Sequence, residues 1–206
     1  MTGGHASFAR DGYFAKFYAA LGVLQLESAR TVADNTVTGG LDVGSSTFHG
    51  YFLNPAVTVC ADLDTGDGTL TPSLRLRYTG LMLDGYAESG VNDGLAVDAR
   101  MVHELELRAQ LALALTPSAT EHGTVSTTVR AGADIIHRQA NVSAELLGQD
   151  IAFTSGGEGM RYRGFAAAEF DVALKGGMNL FGNLELGLDT AGGYSSAAQM
   201  GMRGNF

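Results

Sequence analysis

The chain has 206 residues, 45% of them hydrophobic, with 29 glycines, three prolines, one cysteine and no tryptophan, which is the size of one barrel or sandwich domain. Thirteen basic residues against 22 acidic ones leave a net charge of −9, which argues against a nucleic-acid partner, because nucleic-acid binders carry basic surfaces. Cys60 alone excludes an internal disulfide, and no apolar run approaches the ~18–20 residues of a transmembrane helix.

The first residues, "MTGGHASFARDG", have no basic stretch leading into an apolar run, so they are not a signal peptide. Residues 1–12 are expected as an N-terminal lead-in, and 13–206 as one domain without internal repeat or linker. A first strand covers roughly 13–28, with a change of phase near Gly22. In "YFLNPAVTVCA", Tyr51, Leu53, Val57 and Val59 oppose Asn54 and Thr58; in "TPSLRLRYTGLML", Leu74, Leu76, Tyr78 and Met82 oppose Arg75 and Arg77. Residues 97–115 decide the class of structure. Met101, His103, Leu105, Leu107, Leu111, Leu113 and Leu115 alternate with Arg100, Glu104, Glu106, Arg108 and Gln110. At 100° per residue those charges would be spread around a helix, whereas on a strand they share one face.

The pattern continues toward the C-terminus. Val125, Val129, Ala131, Ala133 and Ile135 oppose Arg130 and Asp134. Ala166, Ala168, Phe170, Val172 and Leu174 oppose Arg163, Glu169 and Asp171, and Leu180, Leu184, Leu186 and Leu188 oppose Asn183, Glu185 and Asp189. The last strand reads Tyr194, Ser196, Ala198, Met200, Met202, Gly204, Phe206 against Ser195, Gln199 and Arg203, about twice the usual length of a soluble strand. That makes eight strands and no helix. Short connections at 64–68, 116–123 and 175–177 alternate with longer ones at 29–46, 85–96 and 138–160, with 191–193 the short exception. A bacterial outer-membrane barrel alternates in this way, with short periplasmic turns and longer external loops. The expected fold is all-β, an antiparallel transmembrane β-barrel, with Phe206 at the periplasmic rim.

The stretches "ESARTVADN", "GYFLNPAVTV", "LTPSLRLRYTGLMLDGYAESG", "LLGQDIAF" and "GMRGNF" resemble the β-barrel translocator domain of autotransporters, the type V secretion proteins of Gram-negative bacteria. The likeness covers roughly 12–206, and its most specific part is "LTPSLRLRYTGLMLDGY". The resemblance implies a twelve-stranded barrel in the outer membrane, here without its first strands, that anchors and exports a passenger polypeptide and catalyses no reaction. It implies outer-membrane lipid, the barrel-assembly machinery and periplasmic chaperones as partners, and a C-terminal assembly signal of Phe206, Met202 and Met200. The other reading left open is a small stand-alone eight-stranded outer-membrane protein with a structural or adhesive role.

Catalytic and metal motifs are weak. "DLDTGDG" (62–68) has acidic residues at alternate positions but lacks the closing glutamate of a calcium loop, and Asp and Gly are what a tight turn demands. His5, His49, His103, His122 and His137 share no ligand spacing, and no serine sits on a G-x-S-x-G elbow. No metal, cofactor or catalytic residue is assigned. The candidate site is the polar face: Arg75, Arg77, Arg100, Arg108, Arg130, Arg163 and Arg203 with Glu104, Glu106, Asp134, Glu169, Asp171, Glu185 and Asp189, expected to line a wet lumen as cross-paired charges. On this reading Glu106→Leu costs less than Leu107→Arg, because only the second puts a charge in lipid.

Overall fold

The computed structural model describes residues 1–154 and 159–204. Nine long strands follow one another: β1 Thr2–Arg10, β2 Tyr13–Ala33, β3 Leu41–Ala61, β4 Gly68–Leu83, β5 Arg100–Leu115, β6 Gly123–Leu146, β7 Gly159–Leu174, β8 Met178–Asp189 and β9 Tyr194–Gly204. Each pairs antiparallel with the next, giving one curled sheet in chain order. Among the described residues, no strand covers the outer edge of β1 or of β9.

The count is nine where eight were expected, because the stretch read as a lead-in contains β1. Asp11 and Gly12 both take positive φ, 50° and 81°, and between them turn the chain back so that Arg10 faces Tyr13 and Thr2 faces Leu21. Two left-handed residues of Asp-Gly type match the twist of a tight hairpin.

The change of phase near Gly22 is not a slip of register. The β2–β3 ladder runs unbroken from Tyr13↔Ala61 to Ala33↔Leu41. Even-numbered positions of β2 carry Phe14, Tyr18, Leu24 and Leu26 in place of charges, and a side chain on Gly22 would collide with the Phe52 ring. Polarity therefore fades from the alternation while the pleat continues.

Burial separates the two faces. The row Phe17, Val57, Leu76, Leu107, Ile135 lies on the more exposed, convex face, and the row Ala56, Arg77, Glu106, Ile136 lies on the less exposed, concave one. On the convex face, side chains are apolar over Tyr13–Val23 of β2, Tyr51–Ala61 of β3 and Val125–Ile135 of β6, apart from Thr127. Each run is about eleven residues, in line with the ~9–11 that a tilted strand uses to cross a bilayer. Beyond them the same face turns polar at Gln25 and Glu27, at His49, Thr47 and Ser45, and at His137, Gln139, Asn141, Ser143 and Glu145.

Those polar lengths remain strand, which corrects the loop assignment at 29–46 and 138–160. The connection between β2 and β3 is only residues 34–40, and β6 runs on to Leu146, turns at Leu147 (φ 55°) and Gly148 (φ 72°), and pairs back with a short strand, Gln149–Thr154. The hairpins project at one end of the sheet, and the turns at 11–12, 62–67, 116–122 and 175–177 lie at the other. The carboxylate of Asp64 accepts the Gly66 N–H at 2.8 Å, so "DLDTGDG" forms a hydrogen-bonded turn.

Candidate functional site: the ion-paired concave face

The register places the charged residues of β4 to β8 beside one another. Arg77 lies opposite Glu106, Arg108 opposite Asp134, and Asp134 opposite Arg163. Glu106, 4% exposed, accepts hydrogen bonds from Arg75 Nη2 at 2.6 Å and Arg77 Nη2 at 2.5 Å. Asp134, 1% exposed, accepts two from Arg108, Nε at 2.7 Å and Nη2 at 2.9 Å, and lies 3.5 Å from Arg163 Nε. Arg163 also donates to Glu185, and Glu104 approaches Arg77 at 4.0 Å. Arg108 stands 4.0 Å from Glu106 as well, so one chain of charges crosses five strands. Arg130 and Glu169 form a separate pair at 2.5 Å. Arg75 and Arg108 face each other directly, a repulsive pairing that Glu106 between them offsets.

Four of the expected residues make none of these ion pairs. Arg100 lies over the rings of Phe48 and Tyr86, 5.6 and 5.7 Å from their centroids, and Arg203 over Phe181 at 4.6 Å. Asp189 accepts the N–H groups of Ala191 and Gly193 and shapes the 190–193 turn. Asp171 has a concave position but no ion pair among the described residues. Met200 and Met202 are exposed on the convex face of β9, and Phe206 lies outside the described residues.

The sequence reading missed several partners. Phe165, buried on β7, lies under the Arg108 guanidinium at 4.3 Å. Tyr78 Oη and His103 Nδ1 are 2.6 Å apart on the convex face, so this histidine has a polar partner. At the projecting end, Arg30 of β2 binds Glu88, 58 residues away, through Nε at 3.0 Å and Nη2 at 2.6 Å. The Glu88 side chain is 2% exposed and also accepts the Leu95 N–H at 3.1 Å. Phe48 of β3 and Tyr86 of the 84–99 connection stack with ring centroids 4.4 Å apart, and Ser89 pairs with Ser45. This clasp joins the 84–99 connection to the β2–β3 hairpin. Nothing in local alternation marks it, because Glu88 lies in the 84–99 connection, outside the long strands, while Arg30 lies within the β2–β3 ladder.

Hydrogen bonds from Arg30, with a smaller one from the Leu95 N–H, hold the Glu88 carboxyl below its ordinary range against the opposing effect of burial. A depressed carboxylate stabilises the fold above its unfolded-state value, about 4.3, and that stability is lost as pH falls through the lower folded value. Urea midpoints measured between neutral and acid pH should therefore drop less steeply in Glu88→Gln than in the unaltered chain. Equal slopes would show that the clasp does not couple to folding.

The site is built to hold charge against charge on one side of a sheet whose other side is apolar. Buried nitrogens of Arg75, Arg77, Arg100, Arg130 and Arg163 keep donor capacity that no described residue uses. A family model described as the autotransporter beta-domain matches residues 1–185. No curated protein matches the chain.

Proposed function

We propose, from a chain that belongs to the autotransporter beta-domain family, that it anchors and exports a passenger polypeptide through the bacterial outer membrane. That family is one of outer-membrane β-barrel translocators rather than enzymes. The observation that carries the reading is the division of the sheet: convex apolar runs about eleven residues long on β2, β3 and β6, the length that crosses a bilayer, against a concave network of ion pairs. The convex face would meet outer-membrane lipid, and the concave face would line the path of the passenger. A polar, charge-balanced wall suits an unfolded chain, whose carbonyl groups need hydrogen-bond partners in transit. The barrel-assembly machinery and periplasmic chaperones are the proposed handlers of the chain, reading Met200 and Met202 of β9 and, in the sequence after it, Phe206. The stand-alone eight-stranded reading gains nothing from the nine long strands among the described residues, whose two outer edges no other described strand covers.

Protease tags test the orientation on intact cells of the organism that makes the protein. A tag at Gly40 or Gly148, on the projecting hairpins, is expected to be cut, and one at Gly66 to be spared until the cells are permeabilised. Recovery of the untagged protein as a soluble monomer without detergent would remove the membrane from the proposal.

A further inference from the structure

Every lysine and arginine of β2 to β6 projects to the concave side, so the convex face of these strands carries neither. Two hollows adjoin on that face, in the half toward the projecting hairpins. The first is an apolar groove of about 640 Å³, where Gly4, Ala6, Ala19 and Pro55 share the lining with the rings of Phe17 and Tyr78. It exists because three neighbouring strands put small residues in one row, Gly4 beside Ala19 and Ala19 beside Pro55, amid larger apolar side chains. The second, about 320 Å³, is polar and lined by His103, Gln139, Asn141 and Ser143. Arg100 borders it too, but its guanidinium lies over the Phe48 and Tyr86 rings.

Tyr78 joins the two hollows. A side chain on Gly80 would meet Tyr78 Oη at 2.8 Å, so the ring lies over Gly80, whose partner on the facing strand is His103. Tyr78 Oη reaches His103 Nδ1 at 2.6 Å, and His103 stands beside Gln139. Passing toward the projecting hairpins, the surface thus changes from an apolar groove to a hydrogen-bonding cleft. That is the order of tail and head in an amphiphile of the outer leaflet.

We infer that these two hollows bind one glycolipid, with an acyl chain in the groove and sugar hydroxyls on His103, Gln139, Asn141 and Ser143. The inference rests on the membrane-spanning reading above and assigns a lipid to one place on the convex face. Continuity with the apolar band selects the occupant, because the molecule beside the cleft is one whose tails lie against that band. The cleft selects the head. Amide and hydroxyl side chains both donate and accept, as sugar hydroxyls do, whereas a phosphate head is held best by guanidinium or ammonium groups. The convex face of these strands offers no such group.

The full chain is first refolded into phosphatidylcholine vesicles and floated. Failure to float would overturn the membrane reading, and the inference with it. The folded chain is then moved into detergent micelles and titrated with rough lipopolysaccharide, its dephosphorylated form and phosphatidylglycerol, with retained lipid counted by native mass spectrometry. One molecule of either lipopolysaccharide is expected to be retained, and phosphatidylglycerol to bind far more weakly. Gln139→Ala with Asn141→Ala is expected to weaken retention about tenfold, the order set by losing two hydrogen bonds. Gly4→Leu fills the groove at a position where nothing lies within 4 Å of an added Cβ, and it is expected to weaken retention at least as much. Ala6→Leu fills the same groove and replaces Gly4→Leu in the test should that variant not fold. Ala133→Leu, in the apolar hollow nearer the short turns, is expected to leave retention unchanged. A chain that floats yet retains phosphatidylglycerol equally well, loses the glycolipid on dephosphorylation, or ignores the groove and cleft variants overturns the inference alone.

Discussion

Asp134→Ala is expected to destabilise the folded sheet by about 3–5 kcal/mol, the cost of removing one partner from a buried ionic cluster. Asp134 is 1% exposed, and it is the acceptor that Arg108 grips with two nitrogens and that Arg163 approaches from the next strand. Truncation leaves two guanidinium groups facing each other across a methyl group. Arg163 keeps Glu185, but Arg108 is left with Glu106 alone, at 4.0 Å. Removing Arg108 together with Asp134, as the double change to leucine, should therefore restore part of the loss, because the stranded cation is gone. Urea titration in lipid vesicles measures both. A penalty under about 1 kcal/mol for Asp134→Ala is what a solvent-screened surface pair gives, and that result would show the concave face to be an ordinary wet surface.

Leu107→Arg is the second large effect, about 2–4 kcal/mol if the convex face meets hydrocarbon. Its comparison is Leu41→Arg. Both leucines are exposed, 36% and 62%, but Leu107 lies midway along the convex apolar row of β5 and Leu41 on the projecting hairpin. In water both changes should fall within about 0.5 kcal/mol of neutral, as surface substitutions do. Only lipid separates them, so equal stabilities would remove the bilayer. The structure also reverses one expectation drawn from alternation. Glu106→Leu was expected to be milder than Leu107→Arg, yet Glu106 is the shared acceptor of Arg75 and Arg77 and almost fully buried. Its loss strands two cations, and its penalty belongs with that of Asp134 at about 3–5 kcal/mol.

Local alternation alone determined which residues share a face. Side chains on a strand alternate whatever the neighbours do, so Leu105, Leu107 and Leu111 against Glu104, Glu106 and Arg108 could be sorted without any tertiary information. The same rule placed Asp134 with Arg130 and Arg163 on the polar side. Turn chemistry was equally local. The Asp11-Gly12 pair is a strong hairpin signal, but "TGGHASFAR" before it is small and weakly polar, with little contrast between its two faces.

Pairing between strands was beyond reach of the sequence, because register is set by neighbours that lie tens of residues away. Alternation could not say that Asp134 would be the acceptor between Arg108 and Arg163, or that Arg100 would leave the ion pairs for Phe48 and Tyr86. The clasp of Arg30 on Glu88 joins residues 58 apart and exists only because the 84–99 connection folds back onto the β2–β3 hairpin. The open edges are likewise a tertiary fact. The β1 stretch reads as a lead-in and β9 as an amphipathic strand, and only the order of the whole sheet places the two at its edges.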